Sequence, residues 1–147
     1  MDESIVSRIQ RTNAMQYLER SCELWAQQIA IQNGYEPGST NLFQLVLFGS
    51  YRLQVHFAHT DIDAICVFRK DAVQRSEFFD SFYAMIDKDP QFQLVSLVNQ
   101  ARVPIIKCVI NSIHFDLLFA SVDEPNKIHQ KLQSDNDEWF SKLSEQN

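Results

Sequence analysis

Two aspartates that stand one residue apart are the first sign of chemistry in this sequence. Asp61 and Asp63 lead into an apolar segment, residues 64–68, that is typical of a buried strand. Alternate side chains of a strand point to the same face, so we expect the two carboxylates to lie side by side. Because neighbouring carboxylates repel each other unless a cation neutralises them, the pair predicts a cation-binding site.

A Gly-Ser turn comes about ten residues before the acid pair. The apolar residues 42–48 predict a strand, and Gly49 and Ser50 follow it directly. Gly49 carries no Cβ, so its backbone can approach an anion closely, and the Ser50 hydroxyl can donate to a phosphate oxygen. A small-residue turn beside an acid pair indicates a site for the metal-bound phosphates of a nucleotide.

A third aspartate, Asp116, interrupts the apolar residues 113–120. An unpaired buried carboxylate is costly, so Asp116 needs a metal, a partner charge or solvent, and taken alone it also fits a solvated strand edge. With Asp61 and Asp63 it predicts three carboxylates on neighbouring strands. Such a set can hold two Mg²⁺ or Mn²⁺ ions roughly 3.5–4 Å apart, one activating a hydroxyl and one binding a triphosphate.

The length of 147 residues predicts a single domain, and 45% hydrophobic with 22% charged residues is typical of a globular protein. The helices and strands predicted below make it one α/β domain. Its net charge of −6 argues against strong non-specific binding of polyanions. Apolar runs stay short of membrane-spanning length and the N-terminus lacks a signal-peptide layout, so we expect no membrane partner and an intracellular location. Cys22, Cys66 and Cys108 are expected as buried free thiols in a reducing compartment.

The elements that position the acids follow from hydrophobic spacing. Apolar residues at three- and four-residue steps over residues 5–29 predict a long helix that stops at Asn33-Gly34. Its apolar face either covers the core or binds a partner. A Phe-rich core helix is predicted over residues 76–86, and a short helical turn over residues 51–57. The polar tail, residues 123–147, either forms a closing helix or frays.

Five strands are predicted, at residues 42–48, 61–68, 92–98, 103–110 and 113–120. The last two are joined by Asn111-Ser112, a connection short enough to predict a hairpin.

Several segments in the same order resemble the catalytic signature of eukaryotic nuclear poly(A) polymerases, within the DNA polymerase beta-like nucleotidyltransferase superfamily. In chain order they are Phe-Gly-Ser-Tyr-Arg-Leu at 48–53, Val-His at 55–56, Asp-Ile-Asp at 61–63, Phe-Phe-Asp-Ser-Phe-Tyr at 78–83, Val-Pro-Ile-Ile-Lys at 103–107 and Phe-Asp-Leu-Leu-Phe-Ala at 115–120. Gly-Ser with Asp-x-Asp is shared by many nucleotidyltransferases, whereas residues 51–56 and 103–107 are more specific to the poly(A) polymerase branch. The sequence departs from the family pattern at Gln54, Thr60 and Arg102, none of which is an acid of the site.

The resemblance implies a polymerase beta-like fold, a mixed sheet of about five strands backed by helices, with residues 1–147 as the catalytic domain. It implies site residues in three groups: Asp61, Asp63 and Asp116 as the metal-binding catalytic triad, Phe48, Gly49 and Ser50 beside the triphosphate, and Val103 and Lys107 at the RNA primer end. A strand-edge charge is the alternative interpretation of Lys107.

The function implied by the resemblance is template-independent transfer of AMP from ATP to an RNA 3′-hydroxyl, with Asp116 assisting deprotonation and with a nuclear location. Family members also carry a middle domain that reads adenine and an RNA-binding domain. This sequence shows no match to either, so we expect them to be supplied by missing domains or by a partner protein. The alternatives are a minimal nucleotidyltransferase that modifies a protein or tRNA, and a non-catalytic scaffold, which the three intact aspartates disfavour.

Overall fold

The protein is described by a computed structural model that covers residues 3–48, 61–99 and 103–128. The elements in chain order are α1 (Glu3–Gln32), β1 (Phe43–Phe48), β2 (Ile62–Arg69), α2 (Arg75–Glu77), a π-helical turn (Phe78–Phe82), α3 (Tyr83–Lys88), β3 (Phe92–Val98), β4 (Ile105–Ile110), β5 (Ile113–Val122) and a 3-10 turn (Pro125–Lys127). Three expectations fall outside the described residues: the Gly49-Ser50 turn, the helical turn at 51–57, and the tail beyond residue 128.

The five strands form one mixed sheet in the order β1-β2-β5-β4-β3. β2 and β5 run parallel, and the other three neighbouring pairs are antiparallel. This arrangement confirms the predicted mixed sheet of about five strands. The strand bounds differ slightly from the prediction: β4 begins at Ile105, after Pro104, and β5 continues to Val122. Proline has no N–H to give to a sheet ladder, which explains the later start of β4.

Helix α1 ends where the sequence predicts, because Gly34 adopts a left-handed conformation with φ +101°. The N–H of Gly34 donates to the carbonyl of Ile31, and the N–H of Tyr35 donates to that of Ala30. These two bonds are the Schellman pattern, which satisfies carbonyls left free at a helix end. Among the residues described, neither α1 nor any other helix combines the length and apolar character needed to cross a membrane.

The N-terminal turns of α1 do not cover the core. Ile5 and Ile9 were expected on the buried face, but their side chains are 45% and 48% exposed. The reason is length: a 30-residue helix extends about 45 Å, whereas the strands beneath it extend roughly 20–33 Å. The amide of Asn111, at the end of the β4–β5 hairpin, donates to the carbonyl of Gln10. Residues before Gln10 therefore project beyond the sheet.

The core lies between one face of the sheet and the two helical segments. Trp25 of α1 packs edge-on against Phe68 of β2 and against Phe78 and Phe82 of the π-helical turn. Phe78 and Phe82 stack with their ring centroids 5.0 Å apart. The Phe-rich stripe is therefore core, as predicted. The helix around it runs from residue 75 to 88 and widens to π geometry in its middle turn.

The three cysteines are buried and unbridged, as expected. The structure adds one fact that the spacing did not predict: the Cys22 and Cys66 sulfurs lie 3.9 Å apart. Burial raises the pKa of the Cys108 thiol to about 12, so this side chain is a neutral core group at physiological pH.

The opposite face of the sheet carries a second, smaller apolar cluster. Its buried members are Val46, Phe48, Ile65, Val67, Ala120 and Ile128. Because side chains alternate along a strand, this face also receives every second residue of β2, β4 and β5. It is the face on which the predicted acids lie.

We predict that Phe68→Ala destabilises the chain by about 3–5 kcal/mol, because it removes a fully buried ring and leaves a cavity among Trp25, Phe43 and Phe119. The measurement is chemical denaturation followed by tryptophan fluorescence. Leu94→Ala is the control, since Leu94 is 77% exposed and its truncation should change the free energy of unfolding by less than about 0.5 kcal/mol. Equal losses in both variants would contradict the described core.

Candidate active site

A row of paired residues crosses the sheet at right angles to its strands. Asp63 is the register partner of Phe48 on one side and of Asp116 on the other. Asp116 in turn pairs with Lys107, and Lys107 with Ser96. Neighbouring strands lie about 4.8 Å apart, so the row places two carboxylates and one ammonium next to each other. We call Asp63, Asp116 and Lys107, together with Asp61, the acid row.

The alternation of buried residues explains why the acid row shares one face. Ile62 and Ala64 flank Asp63 and are buried in the core beneath the helices, so Asp63 points to the opposite side. β2 begins at Ile62 rather than at the predicted residue 61, and Asp61, just before it, is placed on the same side by its contact with Lys107. Phe115 and Leu117 flank Asp116 in the same way. The predicted convergence of three acids on one sheet face is therefore what the strand registers produce.

Lys107 makes the closest polar contacts in the acid row. Its Nζ donates to Asp116 Oδ1 at 2.8 Å and to Asp61 Oδ2 at 3.4 Å. The Asp116 side chain is 17% exposed, whereas the Lys107 side chain is 43% exposed. The ammonium therefore bridges two of the three carboxylates from the solvent side of the sheet.

The third carboxylate, Asp63, lies in an unfavourable electrostatic position. Burial raises the pKa of Asp63, the charges of Asp116 and Asp61 raise it further, and Lys107 acts in the opposite direction. Within the described residues, no ion pair to Asp63 is present to offset this penalty. The acid row thus carries more negative charge than its one lysine neutralises.

The pKa of Lys107 is shifted in the direction that keeps the side chain charged. The hydrogen bond to Asp116 raises the pKa of Lys107 above its ordinary value, burial acts in the opposite direction, and the charge of Asp116 and the contact with Asp61 raise the pKa further. Lys107 is consequently an ammonium ion throughout the physiological pH range.

The donor chemistry of the acid row fits a divalent metal ion. Carboxylate oxygens are the ligands that Mg²⁺ and Mn²⁺ prefer, and the excess negative charge at Asp63 favours a cation. In the described parts of the chain, however, no three His, Cys, Asp or Glu side chains stand together as ready-made ligands. Asp61 and Asp116 face the Lys107 ammonium instead, so metal binding requires that this contact open.

The other predicted site residues lie at different distances from the acid row. Phe48 is buried at the end of β1, directly beside Asp63, and Gly49 and Ser50 follow it in the sequence. Gly49 and Ser50 themselves lie outside the described residues, and their contact with the triphosphate stays a prediction. Val103 lies in a half-buried bend before β4, and a primer contact by Val103 or Lys107 also stays a prediction.

The Lys107–Asp116 ion pair is the feature that sequence reasoning missed, although a signal was present. Asn111 and Ser112 both have positive φ, which is the geometry of a two-residue type I′ hairpin turn. Such a turn fixes the register on either side of it. Lys107 lies as far before the turn as Asp116 lies after it, so counting outward from Asn111-Ser112 pairs the two residues.

The comparisons with known proteins agree with this architecture. A mixed sheet that carries acids on one face and helices on the other is the arrangement expected of a nucleotidyltransferase domain. The chain belongs to the poly(A) polymerase nucleotidyltransferase domain family, whose family model matches residues 2–147. Nucleotidyltransferases of this family generally use divalent metal ions and nucleoside triphosphates.

Three curated relatives are poly(A) polymerases. Poly(A) polymerase of Dictyostelium discoideum is 36% identical over 100 residues, which cover 67% of this chain and 12% of that protein. Poly(A) polymerase PAPa of Candida albicans is 31% identical over 125 residues, covering 84% and 22% respectively. Nuclear poly(A) polymerase 1 of Arabidopsis thaliana is 28% identical over 122 residues, covering 82% and 17%. The chain thus spans less than a quarter of the length of each of these relatives.

Two polymerases are among the solved structures to which the chain shows some similarity. The Cid1 poly(U) polymerase is 19% identical with a TM-score of 0.47, over 82% of this chain and 33% of that one. The polymerase core of TRAMP, an RNA surveillance complex, is 22% identical with a TM-score of 0.46, over 82% and 36%.

We predict opposite effects of two isosteric substitutions on the metal-free chain. Asp63→Asn removes a charge that is unfavourable in the folded chain, so it should raise Tm at pH 7. Asp116→Asn weakens the hydrogen bond to Lys107, so it should lower the free energy of unfolding by about 1 kcal/mol and Tm by roughly 3 °C. A raised folded-state pKa penalises the ionised form. The increase in Tm caused by Asp63→Asn should therefore be complete above the pKa of Asp63 in the folded chain. It should vanish below about pH 4, where Asp63 is protonated in both the folded and the unfolded chain.

The measurement is thermal unfolding in EDTA from pH 4 to pH 8. An equal change in Tm for both variants at pH 7 would contradict the conclusion that Lys107 pairs with Asp116 and not with Asp63.

Proposed function

We propose that the acid row is the catalytic centre of a polynucleotide adenylyltransferase, which transfers AMP from ATP to an RNA 3′-hydroxyl without a template and releases pyrophosphate. Family membership and the three poly(A) polymerase relatives support this proposal. The observation that carries it is the cross-sheet pairing of Asp63 with Asp116, with Asp61 two residues before Asp63 on the same face.

Each part of the proposed site has a separate task. Asp116 lies between Asp63 and Lys107 and keeps limited solvent access, so its carboxylate can accept the proton of a 3′-hydroxyl placed above it. Phe48 is the last residue of β1 and pairs with Asp63, and Gly49 and Ser50 are the next two residues of the sequence. That turn is proposed to bind the triphosphate through its backbone and the Ser50 hydroxyl.

Asp61, Asp63 and Asp116 are the residues that would hold two Mg²⁺ or Mn²⁺ ions. Bound there, the ions would make the hydroxyl a better nucleophile and neutralise charge on the phosphates. The chain's own contribution is rigidity, because two of the three ligands come from adjacent strands of one sheet rather than from loops.

We propose that polypeptide other than residues 1–147 selects adenine and provides most of the RNA-binding surface. The chain spans 12%, 22% and 17% of the three relatives, so most of each relative lies outside the matched region. The net charge of −6 also disfavours strong RNA binding by this surface alone. We propose a nuclear location on the basis of the relative from Arabidopsis thaliana, which is named as a nuclear enzyme.

We predict that Mg²⁺ with ATP raises Tm by roughly 5–10 °C at about 100 times the dissociation constant, because ligand binds only the folded chain. Asp61→Asn should abolish this increase. Asp71→Asn is the matched control: Asp71 is exposed and follows the opposite end of β2, so the same change in charge should leave the response intact. Thermal shift assays measure both, and primer extension with [α-³²P]ATP tests the reaction itself.

A response to Mg²⁺ and ATP that survives Asp61→Asn would remove the acid row as the metal site. An intact response without any transfer to RNA, even with the rest of a poly(A) polymerase supplied, would favour the scaffold alternative.

We predict that the chain binds ATP, GTP, CTP and UTP with Mg²⁺ at affinities within about threefold of one another. The acid row and the Gly49-Ser50 turn handle metal and phosphate, which all four nucleotides share. Discrimination requires polar groups that are left unpaired by the wrong base, and the proposed site residues include none directed at a base. Isothermal titration calorimetry decides this point, and a tenfold preference for ATP would show that residues 1–147 contain an adenine pocket.

A further inference from the structure

The position of one side chain in the acid row has a consequence beyond the proposed reaction. Lys107 Nζ lies 2.8 Å from Asp116 Oδ1 and 3.4 Å from Asp61 Oδ2, so a single positive charge touches two of the three proposed metal ligands. The pairing follows from the β4–β5 register, which places Lys107 directly across from Asp116. It is therefore a built contact of the sheet and not a chance approach of a surface lysine.

A divalent ion and this ammonium compete for the same oxygens. Mg²⁺ binds carboxylate oxygen at about 2.0–2.1 Å, so an ion shared by Asp61 and Asp116 would lie within a few ångströms of the Lys107 nitrogen. Two cations at that separation repel each other strongly. The singly charged ammonium is held less tightly by the carboxylates than the divalent ion, so the ammonium is displaced. Lys107 is able to leave, because its side chain is 43% exposed and has four rotatable methylene carbons.

We propose that Lys107 is the resident counter-ion of the metal-free acid row, and that it gives up Asp61 and Asp116 when divalent metal binds. The proposal rests on the function proposed above. In the metal-free chain Lys107 offsets the repulsion among the carboxylates. In the loaded chain its ammonium, still attached to β4 beside the row, is free to bind an anionic group.

The anionic group that fits this position is a phosphate of the RNA primer, since the primer's 3′-end must lie above Asp116 for transfer to occur. A primer contact by Lys107 would then form only after metal has bound. From the sequence, Lys107 is either a primer contact or a strand-edge charge. On this proposal one side chain has both roles, in different states of the site.

The first test compares Mn²⁺ affinity in the wild-type chain and in Lys107→Met by isothermal titration calorimetry without nucleotide. Removing the competing charge should tighten Mn²⁺ binding about tenfold, whereas Lys107→Arg, which keeps the charge, should stay near wild type. Lys70→Met is the matched control. Lys70 is exposed at the far end of the eight-residue β2, roughly 25 Å from Asp61 and well beyond the screening length, so its loss should change affinity by less than about twofold.

The second test uses the wild-type chain and does not depend on the folding of a variant. Lysines are labelled with an amine-reactive ester, with and without saturating Mg²⁺, and quantified by mass spectrometry. Labelling of Lys107 should increase at least threefold when metal binds. Lys127 is the internal control, because its ion pair with Glu124 at 3.0 Å involves no carboxylate of the acid row and should be unaffected.

The outcomes separate this proposal from the proposed function. If the wild-type chain binds Mn²⁺ and Asp61→Asn does not, the metal site stands. Unchanged affinity in Lys107→Met, or unchanged labelling of Lys107 on metal binding, would then overturn the counter-ion role alone. A wild-type chain that binds no Mn²⁺ would overturn both.

Discussion

Repulsion between carboxylates is the constraint around which this domain is organised. The parallel pairing of β2 with β5 places Asp63 beside Asp116, and Asp61 adds a third negative charge on the same face. Burial and the charges of Asp116 and Asp61 together raise the pKa of Asp63, so its ionised form is held there at a cost in stability. The fold tolerates it because the other face of the same strands is anchored in a dense aromatic core. Lys107 removes part of the cost through its contacts with Asp61 and Asp116.

The two faces of the sheet therefore differ in what they carry. One face packs Phe68 of β2 against Trp25 of α1, and Phe119 of β5 against Phe78 of the π-helical turn, and forms the larger apolar core. The other face holds the acid row and the smaller apolar cluster. Alternation along β2 and β5 allows this, since successive side chains of a strand point to opposite faces.

Much of this architecture was predictable from the sequence. The five strands, the long helix with its Asn33-Gly34 stop and the hairpin at Asn111-Ser112 all followed from local patterns. The common face of Asp61 and Asp63 was expected from strand alternation, although β2 begins only at Ile62. The complete strand order did not follow from local patterns, since β2 and β5 are far apart in the chain, and their adjacency was expected only from the chemistry of their aspartates. The exposure of Ile5 and Ile9 was likewise missed, because it depends on the length of α1 relative to the sheet.

The central position of β5 has a consequence for how the domain is made. β2 and β1 can pair as soon as both are synthesised, but the other edge of β2 has no partner until β5, the last strand, is complete. Until then an apolar strand rich in Val, Ile and Phe is open on one side, the kind of edge on which chains aggregate. The pairing that closes it is long-range and therefore slow to form. A chain emerging from the ribosome has no acid row until β5 has been made, so the nascent domain needs protection of this open edge for most of its synthesis.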